Sequence, residues 1–150
     1  MPPVYSSDPA LSEALVRYDI LHADLIAPQP GHNPIAGAGG LLAAPIITAA
    51  TTNPTVVKAA PGRVFGLSLT NKSAAYRYFK LFNKATAPTV GTDAAQAVYS
   101  VPPGASLSVS LADIGMSFTL GIGYCITAGP TNADVVVVAA EDLVGTLHYF

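Results

Sequence analysis

The residues able to do chemistry are few and scattered. His22, His32 and His148 lie far apart in the 150-residue chain, and none stands at metal-ligand spacing from another histidine or from a cysteine. Each reads as structural or exposed. Cys125 is the only cysteine, so neither an intrachain disulfide nor a cysteine-based zinc site can form. Its apolar neighbours make it a small buried hydrophobe. Asp134, Glu141 and Asp142 could offer oxygens to calcium, but EF-hand-like spacing is missing and solvated turn acids are the better expectation. Gly37-Ala38-Gly39-Gly40 lacks the Lys-Ser or Lys-Thr that a phosphate loop needs, and neither a G-x-S-x-G elbow nor an HExxH pair occurs. Asn71-Lys72-Ser73 matches a glycosylation acceptor, a tripeptide frequent by chance. Arg77 between Tyr76 and Tyr78 could stack on bases or sugars, although a structural aromatic strand is the simpler reading. With no constellation of acid, base and nucleophile, the expectation is a chain that is not an enzyme and holds no metal or cofactor.

What must position these residues follows from composition. Hydrophobic residues make up 51% of the chain and charged residues 11%, against about 25% charged in ordinary soluble domains. A surface so poor in charge is either covered with Ala, Val, Thr and Ser or buried in an assembly, and large exposed apolar patches usually mark interfaces. The net charge of −2 gives no general case for nucleic-acid binding. Its distribution is uneven. Residues 1–53 carry Asp8, Glu13, Asp19 and Asp24 against Arg17 alone, whereas Lys58, Arg63, Lys72, Arg77, Lys80 and Lys84 cluster within 27 residues. That cluster reads as a solvated sheet face or as a basic face for an acidic partner. Met1-Pro2-Pro3 lacks a basic leader region, and the apolar run from Ile35 to Ala50 is short and broken by Gly37, Gly39, Gly40 and Pro45. A secretory leader and a membrane role are therefore not expected.

The chain divides near residue 53 into an N-terminal docking arm and linker, 1–53, and a β domain, 54–150. Within the arm, Asp8 followed by Pro9 is a helix start, and Leu11, Ala14, Tyr18, Leu21 and Leu25 recur at spacings of three and four. A short helix ending at Pro28 would present Leu11, Leu15, Tyr18, Leu21 and Leu25 to a partner. A strand is the competing reading, since Val16, Tyr18 and Ile20 alternate with Arg17 and Asp19. Residues 27–53 read as an extended linker, ordered on assembly.

After Asn53 the period becomes two. Phe65, Leu67 and Leu69 alternate with Val64, Gly66 and Ser68; Phe79 and Leu81 with Tyr78, Lys80 and Phe82; Leu107, Val109 and Leu111 with Ser106, Ser108 and Ser110; and Phe118 through Ile126 with Thr119, Gly121, Gly123, Cys125 and Thr127. Val135–Val138 and Leu143–Phe150 add apolar β-prone runs. Turn signals such as Pro61-Gly62, Pro102-Pro103-Gly104 and Gly129-Pro130 separate them. Several short strands so spaced predict a mainly β fold, an antiparallel β-sandwich of jelly-roll-like or immunoglobulin-like type, with the arm extended from it. Small outward residues (Gly66 and Ser68; Ser106, Ser108 and Ser110; Gly121, Gly123 and Cys125) would admit another surface at close range or form a lightly charged solvent face.

Several motifs in residues 54–150 carry a family resemblance. Ala60-Pro61-Gly62-Arg63-Val64-Phe65-Gly66-Leu67, Ala74-Ala75-Tyr76-Arg77-Tyr78-Phe79-Lys80-Leu81-Phe82-Asn83-Lys84 and Ala87-Pro88-Thr89-Val90-Gly91-Thr92-Asp93 are followed in order by Val101-Pro102-Pro103-Gly104, Gly121-Ile122-Gly123-Tyr124 and Asp142-Leu143-Val144-Gly145. This series is similar to a β-domain of tailed-bacteriophage structural proteins, with Ala94-Ala95 and Pro103 departing from it in loops. The resemblance implies a virion component made in the host cytoplasm. The leading expectation is a head decoration or cement protein on the capsid surface, a homotrimer bound to the major capsid protein. A neck, tail or fibre-base protein is the alternative, and a host-glycan-binding module using Tyr76, Tyr78 and Tyr99 is another.

Overall fold

The computed structural model describes residues 40–111 and 114–150. Leu11, Leu15, Tyr18, Leu21 and Leu25, the helix expected to carry them, and His22 and His32 lie outside the described residues. Nine strands follow: β1 Leu42–Ile47, β2 Thr55–Lys58, β3 Gly62–Asn71, β4 Arg77–Asn83, β5 Ala97–Val101, β6 Ser106–Ser110, β7 Met116–Phe118, β8 Ile122–Thr127 and β9 Leu143–Tyr149. The fold is mainly β, and every pairing is antiparallel. One sheet has the order β1-β9-β3-β6 with β7 also on β3; the other has the order β2-β8-β4-β5.

Both sheets contribute to one core. Ile46, Val64, Leu67, Leu69, Phe118, Leu143 and Leu147 come from the five-stranded sheet, and Phe79, Leu81, Val101, Ile122, Tyr124 and Ile126 from the four-stranded one. The Phe79 and Tyr124 rings meet at 5.0 Å between centroids, a tilted packing that favours aromatic pairs. Arg77 on β4 and Asp142 just before β9 tie the two sheets at one end, with Nη2 2.7 Å from the carboxylate.

The sheets begin earlier than the composition implies. β1 lies inside the stretch read as linker, and its full length pairs with β9 from Leu42↔Tyr149 to Ile47↔Val144. Two alanines and Pro45 hide its period, and a proline fits because, among the described residues, β1 pairs on one side only, and an edge strand tolerates a missing N–H. The boundary at 53 is therefore corrected to the neighbourhood of Gly40. Asn53, in the left-handed region at φ 52°, holds the turn between the sheets. Its side chain accepts the Ala49 N–H at 2.7 Å and donates to the Thr51 carbonyl at 2.8 Å.

Three further expectations change. On β3 the inward residues are Val64, Leu67 and Leu69, all buried, while Phe65 is only half-buried. The register against β9 shifts between Val64 and Gly66, so Phe65 is the extra residue of a β-bulge and the alternation changes phase across it. The run from Phe118 to Thr127 is two strands, not one. β7 ends at Phe118 in one sheet, Leu120 is 60% exposed, and β8 starts at Ile122 in the other. Finally, Val135–Val138 joins neither sheet; Val138 is buried and the other three valines are exposed.

Candidate functional site

The basic cluster does not form a free face. Arg77 pairs with Asp142, Lys72 with Glu141 at 3.3 Å, and Lys84 with Asp93. Arg63 donates to the Ile114 carbonyl at 2.6 Å, and Lys58 Nζ lies 5.4 Å from the Phe150 ring centre. Lys80 is buried to 1% exposure and donates to the Thr131 carbonyl at 2.6 Å. Each of the six is thus engaged within the chain, three by acids, two by backbone carbonyls and Lys58 by an aromatic ring. Burial pushes the Asp142 carboxyl up, but the Ala139 N–H and the Arg77 guanidinium outweigh it and hold that carboxyl below the usual range. The Lys84 ammonium, with the Thr89 N–H, does the same for Asp93.

The turn acids also have structural duties. Asp134 Oδ1 accepts the Val136 N–H at 3.0 Å, and Asp142 accepts the Ala139 N–H at 2.8 Å. Among the described residues no three His, Cys, Asp or Glu side chains gather as a metal site requires. Cys125 is fully buried, and burial pushes its thiol up to about 11. Tyr76 and Tyr78 stack at 6.4 Å, but Tyr99 packs against the core. The three glycan candidates therefore do not share one surface.

The small outward residues divide into two groups. On β8 and at Gly121 just before it, they lie under the chain's own loops. A Cβ on Gly121 would meet Ala85 Cα at 2.7 Å and the Lys84 carbonyl at 2.8 Å, and one on Gly123 would touch Pro88 at 3.4 Å. The β4–β5 loop thus covers this end of the four-stranded sheet, and every residue of β8 is buried. On the five-stranded sheet Ser68, Ser106, Ser108 and Ser110 stay open, while Gly66 is buried. Cross-strand registers align them in three rows: Ala43, His148, Gly66 and Ser110; Pro45, Thr146, Ser68 and Ser108; Ile47, Val144, Thr70 and Ser106. Residues paired in this way share a face, and their neighbours along each strand are the core residues Ala44, Ile46, Leu67, Leu69, Leu107, Val109, Leu143 and Leu147.

That grid is the candidate site. It contains no Lys, Arg, Asp or Glu, and His148 is its only titratable side chain. From strand spacing it measures about 14 Å on each side between Cα positions. Ser68, Ser106, Ser108 and Ser110 are exposed, as are Ala43, Pro45 and Ile47 on the opposite edge. A shallow depression of about 280 Å³ sits in the first row, lined by Leu41, Gly66, Ser68, Ser110 and His148 among others. Leu41 is 57% exposed and Ile47 67%, so the β1 edge is apolar and the β6 edge carries hydroxyls. Such a face can exclude water from a partner without stripping solvent from any ion, which is the costly step when charges are buried. Sequence periodicity marked the serines and Gly66, but His148 and the β1 residues enter only through pairing with β9. No protein-family model, curated protein or solved structure matches this chain.

Proposed function

We propose that this chain is a non-catalytic structural protein of a tailed-phage virion, a β-sandwich of jelly-roll-like or immunoglobulin-like type that decorates and stabilises the assembled capsid. The observation that carries the reading is the charge-free outer face of the five-stranded sheet. Two antiparallel sheets around one core are what a sandwich of either type supplies. The phage-like motifs occupy the β2–β3 turn and β3, β4, the β4–β5 loop, the β5–β6 turn, the start of β8 and the start of β9, so they span both sheets.

Area sets what else is needed. A patch about 14 Å square offers roughly 200 Å², whereas a stable interface takes about 800 Å² from each partner. Residues 1–39 would supply the remainder, because they enter the fold at Gly40, next to Leu41 on the rim of the face. A protein that binds the closed lattice, and not loose subunits, shifts assembly toward the shell by mass action. The trimer and the major capsid partner belong to the same proposal.

Cryo-electron microscopy of virions with immunogold labelling tests it. Density on the head, in copies matching the lattice, is the expected result. Density confined to the neck or tail, in a single ring of copies, would replace the capsid assignment with the neck, tail or fibre-base one. Truncation should remove residues 1–39 and not 1–53, since the longer cut takes β1 out of the sheet.

A further inference from the structure

The β8–β9 connection contains three valines that stand in water. Val135, Val136 and Val137 are 58%, 56% and 58% exposed, and their backbone belongs to no ladder. The hydrogen bonds along this segment alternate. The Val136 carbonyl accepts the Ala128 N–H at 3.1 Å, and the Val138 N–H donates to the Thr51 carbonyl at 3.3 Å. The Val136 N–H donates to Asp134 Oδ1. Among the described residues, the N–H and C=O of Val135 and of Val137 have no such partner. The Val136 carbonyl and the Val138 N–H, two residues apart, bond to Ala128 and Thr51, the alternation by which residues i and i+2 of a strand face one edge and residue i+1 the other. One edge of this ribbon is therefore anchored at Val136 and Val138, and the other is open at Val135 and Val137.

We propose that Val135–Val137 is a β-pairing edge for a second copy of this chain, joined antiparallel about a twofold axis through Val136. The pattern is self-complementary. Opposite residues of an antiparallel pair exchange both bonds or neither, in alternation. Setting Val135 against Val137 of the second copy, and Val137 against its Val135, uses all the open groups of both chains. Val136 then faces its own counterpart at the non-bonded position, where Cα atoms approach to about 4.5 Å. A slip of one residue would oppose the anchored groups of Val136, so the register is fixed. Antiparallel pairing also places the two Asp134 side chains at opposite ends of the contact; parallel pairing would bring them together. An isologous contact closes on itself and does not propagate as a fibre.

This edge does not depend on the virion reading. It is short, and buries far less than the roughly 1,200–2,000 Å² of a standard stable interface. The association is accordingly concentration-dependent, and strengthens when copies are held close by other contacts. An unprotected apolar edge of this kind otherwise invites nonspecific strand addition.

Cysteine cross-linking of the full chain tests register directly, since the native Cys125 is fully buried. Under oxidised glutathione, Val136→Cys should form an interchain disulfide at least about tenfold faster than Val135→Cys, because only residue 136 lies opposite itself within bridging distance. Equal rates for the two variants, or no cross-linked dimer, would overturn the proposal. Val136→Lys, which places like charges across the axis, should keep the parent melting curve yet lose the mass-doubling association by sedimentation equilibrium at concentrations where the parent shows it. A doubling that survives in Val136→Lys would assign the contact to another surface and refute this one.

Discussion

On the four-stranded sheet the outward residues Gly123, Cys125 and Lys80 lie beneath the chain's own loops; on the five-stranded sheet the outward Ser68, Ser106, Ser108 and Ser110 face open space. Both sets are runs of small or polar residues at alternate positions. At the start of β8, smallness lets backbone approach backbone, as the contacts around the preceding Gly121 show. On β3 and β6, the same smallness leaves a face of low relief without charge. The lesson is that a small-residue stripe says a surface comes close, and only the connections say whose surface it is. Here the β4–β5 loop and the segment around Thr131 cover one sheet, and nothing among the described residues covers the other.

Substitutions that fill space should separate the two faces, and the largest effect is expected under the loops. Gly121→Ala places a methyl within 2.7–2.8 Å of three backbone atoms, none of which can move cheaply. A loss of about 3 kcal/mol in chemical denaturation is expected, and a loss below about 1 kcal/mol would show that the loop is not tightly seated. Lys80→Ala removes a buried stem and the bond to the Thr131 carbonyl. It should cost about 2 kcal/mol and expose the Thr131–Val137 segment to limited proteolysis. An unchanged cleavage pattern would mean that Lys80 does not hold that segment down.

The tie between the sheets should give a smaller, pH-dependent effect. Asp142→Asn weakens the Arg77 pair and is expected to cost about 1–2 kcal/mol near neutral pH. The native carboxyl titrates below its unfolded value near 4. Its contribution is therefore complete above about pH 4 and fades as pH falls through the lower native value. Melting curves of parent and variant should converge in acid; a constant gap would refute the assigned ionisation. On the open face, Ser68→Val and Ser108→Val should each change stability by no more than about 0.5 kcal/mol. A large loss at either position would mean that the face is not open.

Much of the β architecture was legible because alternation survives wherever one face is buried, as in β6 and in Phe79 and Leu81 of β4. β1 was not, since Ala43, Ala44 and Pro45 give no period and its strand character comes from pairing with β9. The phase of β3 departs from simple alternation because a bulge at Phe65 is invisible in a list of apolar positions. The basic cluster looked like one surface because sequence proximity hides that Asp142, Glu141 and Asp93 return to meet it. The serines and Gly66 of the candidate face were marked by their spacing. Their alignment with Pro45, Thr146 and His148 depends on contacts far apart in sequence.

The uncharged face of the five-stranded sheet is the proposed docking surface of this chain. Its most direct test is the double variant Ser68→Glu and Ser108→Glu in the full chain, two neighbouring exposed positions of the middle row. Copies per purified particle should be counted beside a melting curve. A carboxylate buried without a partner costs well over the about 1.4 kcal/mol that separates tenfold differences in binding. The expected result is at least about a tenfold fall in copy number with little change in melting temperature. Full incorporation of the double variant would contradict the docking role of this face.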